Sequence, residues 1–233
     1  MNFLYLLLNI GSIAVPFAFS FHPRLKFYRH WRSFGIGILV MMALFITWDI
    51  IFTKNGVWGF NPNYLVGIDI INLPLEEWLF FICIPYACIF THYALLEINP
   101  KFGLNLNTTK LITVILLVVF FTTAIFNIDK NYTFVNFGLG GIVLLLVLVK
   151  NIKLLQQFFI SYAIIFFPFL LINGILTGSF IEGEVVWYNN DENLGIRIFT
   201  IPIEDSVYAL SMLLIPLFIM TKLKPSSEQL TIN

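Results

Sequence analysis

Apolar runs long enough to cross a bilayer follow one another along almost all of this 233-residue chain, and few folds accommodate that pattern. A helix spanning the hydrocarbon core needs about 20 predominantly apolar residues. The runs predict helices over residues 3–21, 33–52, 75–96, 111–126, 134–149, 158–180 and 203–220, which makes seven spans and no separate soluble domain. Composition agrees: 59% hydrophobic residues, 11% charged residues and a mean hydropathy of +0.88 exclude an ordinary soluble globule. The first run has no basic leader and no evident cleavage site, so it reads as a span rather than a signal peptide.

Charge placement predicts the topology. Arg24, Lys26, Arg29 and Arg32 crowd the first inter-helix loop, and Lys101, Lys110, Lys150, Lys153, Lys222 and Lys224 fall at every second boundary after it. Lys54, Lys130 and Arg197 are left for the opposite side. By the positive-inside rule this is a cell-membrane protein with its N-terminus outside and its C-terminus cytoplasmic. The acids, Glu97 and Glu228 apart, gather toward the outer side. Net charge is zero, and no basic stripe points to nucleic acid.

Within this frame one motif occurs twice, 128 residues apart. Gly67 precedes Pro74-Leu75-Glu76-Glu77 as Gly195 precedes Pro202-Ile203-Glu204-Asp205. Each copy opens an apolar run, and each has an upstream aromatic landmark, Val57-Trp58 and Val186-Trp187. The duplication predicts two three-helix units in the same orientation, residues 1–97 and 133–233 (the latter including a cytoplasmic tail), joined by a linking helix within 98–132. The expected fold is therefore all-α and membrane-integral, a parallel repeat about an axis along the membrane normal. The outer loops, residues 53–73 and 181–201, are long for a compact bundle, and their aromatic content predicts that they fold back over the helix ends.

The doubled acids are the candidate chemistry. With Pro74 and Pro202 at the first helical position, Glu76 and Glu204 would be third and Glu77 and Asp205 fourth. An acidic helix start stabilised by the helix dipole is the ordinary reading of such residues. Two copies at one spacing in an apolar setting favour function, because intramembrane charge is costly to keep. Two carboxylates sharing an apolar site do not both ionise easily, which leaves a proton donor beside an acceptor. Asp49, near the outer end of the second helix, reads as a third carboxylate of the same cavity, with a water-exposed interfacial position as its alternative. Asp69 and Arg197 occupy equivalent repeat positions. They read either as an ion pair across the pseudo-twofold axis or as Arg197 orienting the acids.

Trp48, Trp58, Trp78 and Trp187 all fall on the acidic side, with Phe81 beside the first motif. Much of this aromatic content belongs to the interfacial belt, but aromatic faces also stabilise cations, and acids with aromatic walls suit carbocation chemistry on an apolar substrate. Gly138-Leu139-Gly140-Gly141 lies in a span and favours close helix packing rather than nucleotide binding. Cys83 and Cys88, five apart on one helix, read as packing residues, and His92 as a buried polar contact. No metal site or cofactor fingerprint is expected, and the last predicted helix, residues 203–220, holds no lysine for a retinal Schiff base.

At the residues of its two motifs the chain resembles the membrane-integral lycopene β-cyclases of the heterodimeric type, whose two related halves are separate subunits or fused in one chain. The repeated Pro-x-Glu-Glu/Asp signature is matched by Pro74-Leu75-Glu76-Glu77 and Pro202-Ile203-Glu204-Asp205. The resemblance implies redox-neutral closure of the linear ψ-ends of lycopene to β-ionone rings without flavin or nicotinamide. Glu76, Glu77, Glu204 and Asp205 would then be catalytic, and Asp49, Arg197 and the aromatics would bind substrate or stabilise the cation. The implied partner is a carotene from the lipid phase, and association with further copies or with other carotenoid enzymes stays open. A non-catalytic carotenoid-binding subunit and a proton-coupled transporter are the alternative readings.

Overall fold

A computed structural model describes residues 3–223; Lys224 and Glu228, used in the charge reading above, lie outside the described residues. Among the described residues the chain forms seven α-helices: α1 (Leu4–Phe19), α2 (Trp31–Lys54), α3 (Leu75–Ile98), α4 (Leu106–Phe126), α5 (Asn131–Lys150), α6 (Ile152–Leu176) and α7 (Glu204–Lys222). Six are long and apolar enough to cross a bilayer. The first falls short of the expected span: its 16 residues rise about 24 Å, less than the ~30 Å hydrocarbon core. This is a multi-pass membrane architecture, and the helices are apolar around much of their circumference because lipid rather than water faces them.

Caps and turns explain where the boundaries depart from the hydropathy pattern. Helix α6 begins at residue 152, not 158, because the Asn151 side chain accepts the Leu154 N–H at 3.2 Å and leaves a one-residue link to α5. Helix α4 likewise starts early, where Asn105 accepts from Thr108 N at 2.9 Å. The two prolines of the repeated motif are not first helical residues. Pro74 and Pro202 end short strands, β3 (Leu73–Pro74) and β6 (Ile201–Pro202), which pair with β2 (Asp69–Ile70) and β5 (Arg197–Ile198) in tight hairpins. Glu76 and Glu77 are therefore the second and third residues of α3, and Glu204 and Asp205 the first and second of α7. Each hairpin places a non-glycine residue at positive φ at the same point, Ile71 (φ 64°) and Phe199 (φ 57°), at a cost of order 1–2 kcal/mol apiece.

The two long loops, residues 53–73 and 181–201, meet across the pseudo-twofold axis. Strand β1 (Trp58–Phe60) runs antiparallel to β4 (Val186–Tyr188), with Trp58 opposite Tyr188, Gly59 opposite Trp187 and Phe60 opposite Val186. Outside this ladder Asn61 N donates to Val185 O and Asn189 N to Val57 O, both at 2.9 Å. These symmetric bonds set the equivalence at 128 residues, so Trp58 matches Val186 and Trp187 matches Gly59. Matching Trp58 to Trp187 is one residue out of register. In a strand that slip reverses the face: Trp58 is buried, whereas Trp187 is 38% exposed and lies over Gly59.

Helix α1 packs on α3 as α5 packs on α7, and each half reaches across to the other through α2 against α7 and α6 against α3. The cross-packing is unequal. Helix α2 lies close along α7, where a Cβ added to Gly37 would sit 3.0 Å from Pro216 backbone atoms. Helix α6 carries Pro168 in its interior and stands further from α3. Helix α4 covers α5, with Gly140 and Gly141 against the rings of Phe120 and Phe121. The basic side chains Arg24, Lys26, Arg29, Arg32, Lys101, Lys110, Lys150, Lys153 and Lys222 sit at helix ends opposite the hairpins.

Candidate active site

A cavity of about 320 Å³ opens where the looser α3–α6 contact leaves room, bounded by α1, α3, α6 and α7 and roofed by β1 and β4. Three carboxyl groups reach it: Asp49 from α2, Glu77 from α3 and Asp205 from α7. The rest of the lining is mostly apolar and aromatic. Along α3 the lining runs from Glu77 to Thr91, about 21 Å at 1.5 Å per residue, so the space is a slot with its acids at the hairpin end.

Glu77 and Asp205 occupy equivalent positions but have different neighbours. The Tyr5 hydroxyl of α1 donates to Glu77 Oε2 at 2.5 Å, and the equivalent Tyr132 hydroxyl of α5 donates to Asp205 Oδ1 at 2.5 Å. Beyond that pair the halves diverge. On the first side the carboxyl of Asp49 of α2 interacts with that of Glu77 at the acid end of the slot. Asp49 Oδ1 accepts from Trp58 Nε1 at 2.5 Å and from Thr53 Oγ1 at 3.3 Å, while the buried Oδ2 has no donor facing it. On the second side the position matching Asp49 is Asn173 of α6. Its amide donates to Asp205 Oδ2 at 2.7 Å, and the Tyr188 hydroxyl donates to the same oxygen at 3.0 Å. Tyr188 lies outside the spans. Burial of its hydroxyl, and then the neighbouring charge of Asp205, push its ionisation well above the ordinary tyrosine value, so it remains a donor.

The other acid of each pair points elsewhere. Glu76 and Glu204 are fully buried, yet neither lines the cavity. Glu76 Oε1 accepts the Val66 N–H at 2.6 Å, and Glu204 Oε1 accepts the Leu194 N–H at 2.7 Å together with Thr133 Oγ1 at 2.8 Å. They tie each loop to the start of its helix. Asn9 and Asn136 bond the backbone carbonyls of the same two glutamates, at 2.8 and 2.5 Å.

Of the aromatic candidates, Trp58 lines the slot. Trp48 and Phe81 stand behind the wall, with ring centroids 5.1 Å and 6.5 Å from that of Tyr208, a lining residue. Trp78 is half-buried outside the cavity and makes a long 3.4 Å bond to Ile70 O, and Trp187 covers Gly59 on the outer face. Arg197 does not reach across the axis. Its guanidinium donates to Thr200 O at 2.6 Å and to Asn190 Oδ1 at 2.8 Å, within its own loop, and the expected ion pair with exposed Asp69 is not formed. The hairpin brings Arg197 opposite Pro202 rather than toward the other half. His92 makes the buried contact expected of it, with Nδ1 2.6 Å from Ser161 Oγ. Among the described residues no three histidine, cysteine or carboxylate side chains are arranged to hold a metal ion.

Tyr5, Tyr132, Asn173, Tyr188 and Tyr208 belong to the site but do not stand out from composition. A second repeat would have revealed most of them. Tyr5 and Asn9 recur as Tyr132 and Asn136, and Asp49 and Thr53 recur as Asn173 and Thr177, at the same internal spacing of four.

Over residues 2–95 and 129–223 the chain matches the family model described as lycopene cyclase. It is also similar to a bifunctional lycopene cyclase/phytoene synthase of Aspergillus niger, with 35% identity over 63 residues. That stretch is 24% of this chain and spans only 11% of the relative's length. No solved structure matches the chain.

Proposed function

Because the chain belongs to the lycopene cyclase family, we propose that it closes the linear ψ-ends of lycopene to β-ionone rings by proton-initiated, redox-neutral isomerisation in the membrane. The observation that carries this reading is the meeting of Glu77 and Asp49 in an apolar slot that also holds Asp205. Two carboxyl groups can hydrogen-bond to one another only when one bears a proton. In this reading the pair holds a transferable proton against the substrate end.

The roles then divide between the halves. The Asp49–Glu77 pair protonates the terminal double bond and leaves a tertiary cation. The neighbouring double bond attacks that cation, a carbon–carbon bond forms, and the positive charge moves onto the ring. Asp205 removes a proton from the adjacent ring carbon and the ring double bond forms. One proton enters and one leaves, so no electrons are exchanged and no oxidant or reductant is consumed. Three donors already occupy Asp205, and an ionised carboxylate has about four acceptor sites, which leaves one on Oδ1 for the departing proton. The rings of Trp58, Phe60, Phe80 and Tyr208 wall the space where charge develops and stabilise the cation through their faces.

In this reading the chain is a fused form of the two-subunit membrane cyclases, with halves 1–97 and 133–233 and a link over 98–132. Its acids face the outer leaflet and its basic loops the cytoplasm, in keeping with the charge asymmetry, and its substrate arrives from the lipid phase. Expression in a lycopene-accumulating bacterium tests the proposal. The expected result is a shift from red to orange-yellow with ring-closed carotene in the extract. Unchanged red pigment from cells whose membranes contain the protein would refute it.

A further inference from the structure

A linear polyene must bring one end to Glu77 and Asp205 without leaving the bilayer, and the asymmetry between the halves indicates where it comes in; this inference rests on the cyclase reading. Helices α1 and α6 bound the slot on opposite sides and share no packed seam, although Leu4, Tyr5 and Leu8 cluster with Ile172 and Leu176 at the acid end. Further from the acids the lining includes Gly11 of α1 and Pro168 and Leu171 of α6, and all three are exposed on the helix surface. A Cβ added to Gly11 would meet nothing within 4 Å. The slot therefore opens sideways, toward the lipid.

The pseudo-equivalent opening, beside α5 and α2, is closed. There α2 lies against α7 at Gly37 and Pro216, and Phe45 and Trp48 fill the space with their rings against Tyr208. Proline removes a backbone hydrogen bond and bends a helix where it sits in the interior. Helix α6 has Pro168 where α2 has Leu44. The slot's volume of about 320 Å³ is at the low end for ligand pockets, roughly 300–1,000 Å³. That accommodates one end of a long polyene, not the whole chain.

We propose that the gap between α1 and α6, at Gly11, Pro168 and Leu171, is a lateral mouth that admits one end of a linear polyene from the bilayer, and that its symmetry-related counterpart is sealed. Gly138 is the internal control: it matches Gly11 in the repeat, and a Cβ there also meets nothing within 4 Å. The test compares wild type, Gly11→Trp, Gly138→Trp and Leu171→Trp in lipid vesicles loaded with lycopene, with initial rates referred to the amount of folded protein. Gly11→Trp and Leu171→Trp should lower the rate by at least roughly 10–200-fold, the range that a misfit of a single methylene produces in an apolar pocket. Gly138→Trp, half-buried on α5 and outside the slot, should stay within about twofold, as changes away from a site usually do. Leu171→Trp decides the matter from the opposite lip if Gly11→Trp fails to accumulate. Retained activity in the lip variants, or equal loss in Gly138→Trp, would overturn the mouth while leaving the cyclase reading intact. A wild type without cyclised product would instead remove the cyclase reading itself.

Discussion

Glu76 and Glu77 are neighbours in sequence, both buried, and chemically identical, yet Glu77 faces the slot and Glu76 is turned away from it. The informative perturbation is Glu→Gln at each in turn. In Glu77→Gln the amide oxygen still accepts the Tyr5 hydroxyl, so the 2.5 Å contact keeps a partner while the exchangeable carboxyl proton is gone. Losing a proton donor in such a step typically costs roughly 10²–10⁴-fold in rate, or about 2.7–5.4 kcal/mol at 1.36 kcal/mol per decade. In Glu76→Gln the amide oxygen still accepts the Val66 N–H, so the loop keeps its tie to the start of α3. The expected effect is about 1 kcal/mol of stability, with turnover per folded molecule within a few-fold of wild type. The assay is the initial rate of ring closure in lycopene-loaded vesicles, alongside thermal unfolding of the detergent-solubilised protein. Loss of turnover in Glu76→Gln with normal turnover in Glu77→Gln would refute the division of roles, since it would put the chemistry on the carboxyl that the structure turns away from the slot.

Three further outcomes are expected. Asp49→Asn should lower the rate roughly 10²-fold without loss of membrane-inserted protein, because the amide still accepts from Trp58 but no longer supplies the carboxyl that the proposed mechanism pairs with Glu77; an unchanged rate would exclude the pair as donor. Arg197→Ala should keep the rate within about twofold of wild type, since its bonds stay inside one loop; a tenfold loss would return Arg197 to the site. Gly59→Ala should destabilise by about 1–3 kcal/mol through overpacking, because its Cβ would come within 2.4 Å of the Trp187 ring. Combining it with Trp187→Ala should recover most of that loss in a double-mutant cycle by thermal unfolding, and strict additivity would show that the contact is not the cause.

Much of the architecture is legible along the chain because lipid imposes a simple rule. Each span must be a long apolar helix, and the alternation of basic and acidic ends orders the spans. The motif at a fixed 128-residue spacing discloses the duplication before any contact is known. Legibility fails where polar backbone contacts decide. The start of α6 depends on a cap by Asn151, and the motif prolines belong to hairpins that hydropathy cannot distinguish from helix starts. The tryptophan landmarks mislead for the same reason: a one-residue slip between repeats is invisible in composition but turns a strand residue over.

The sequence by itself therefore determines the membrane class, the two-fold repetition and the gathering of carboxyl groups at one end of the bundle, all of which are one-dimensional properties of spacing and polarity. Only the tertiary structure decides which acid of each pair faces the slot. Successive helix residues point about 100° apart, so the orientation of α3 and α7 against their neighbours turns Glu77 and Asp205 inward and leaves Glu76 and Glu204 to hold the loops. It also decides which side of a nearly symmetric molecule opens. Close packing of α2 at Gly37 seals one interface while α6, with Pro168, stands off at the other, and the balance between those contacts is set by side chains far apart in sequence.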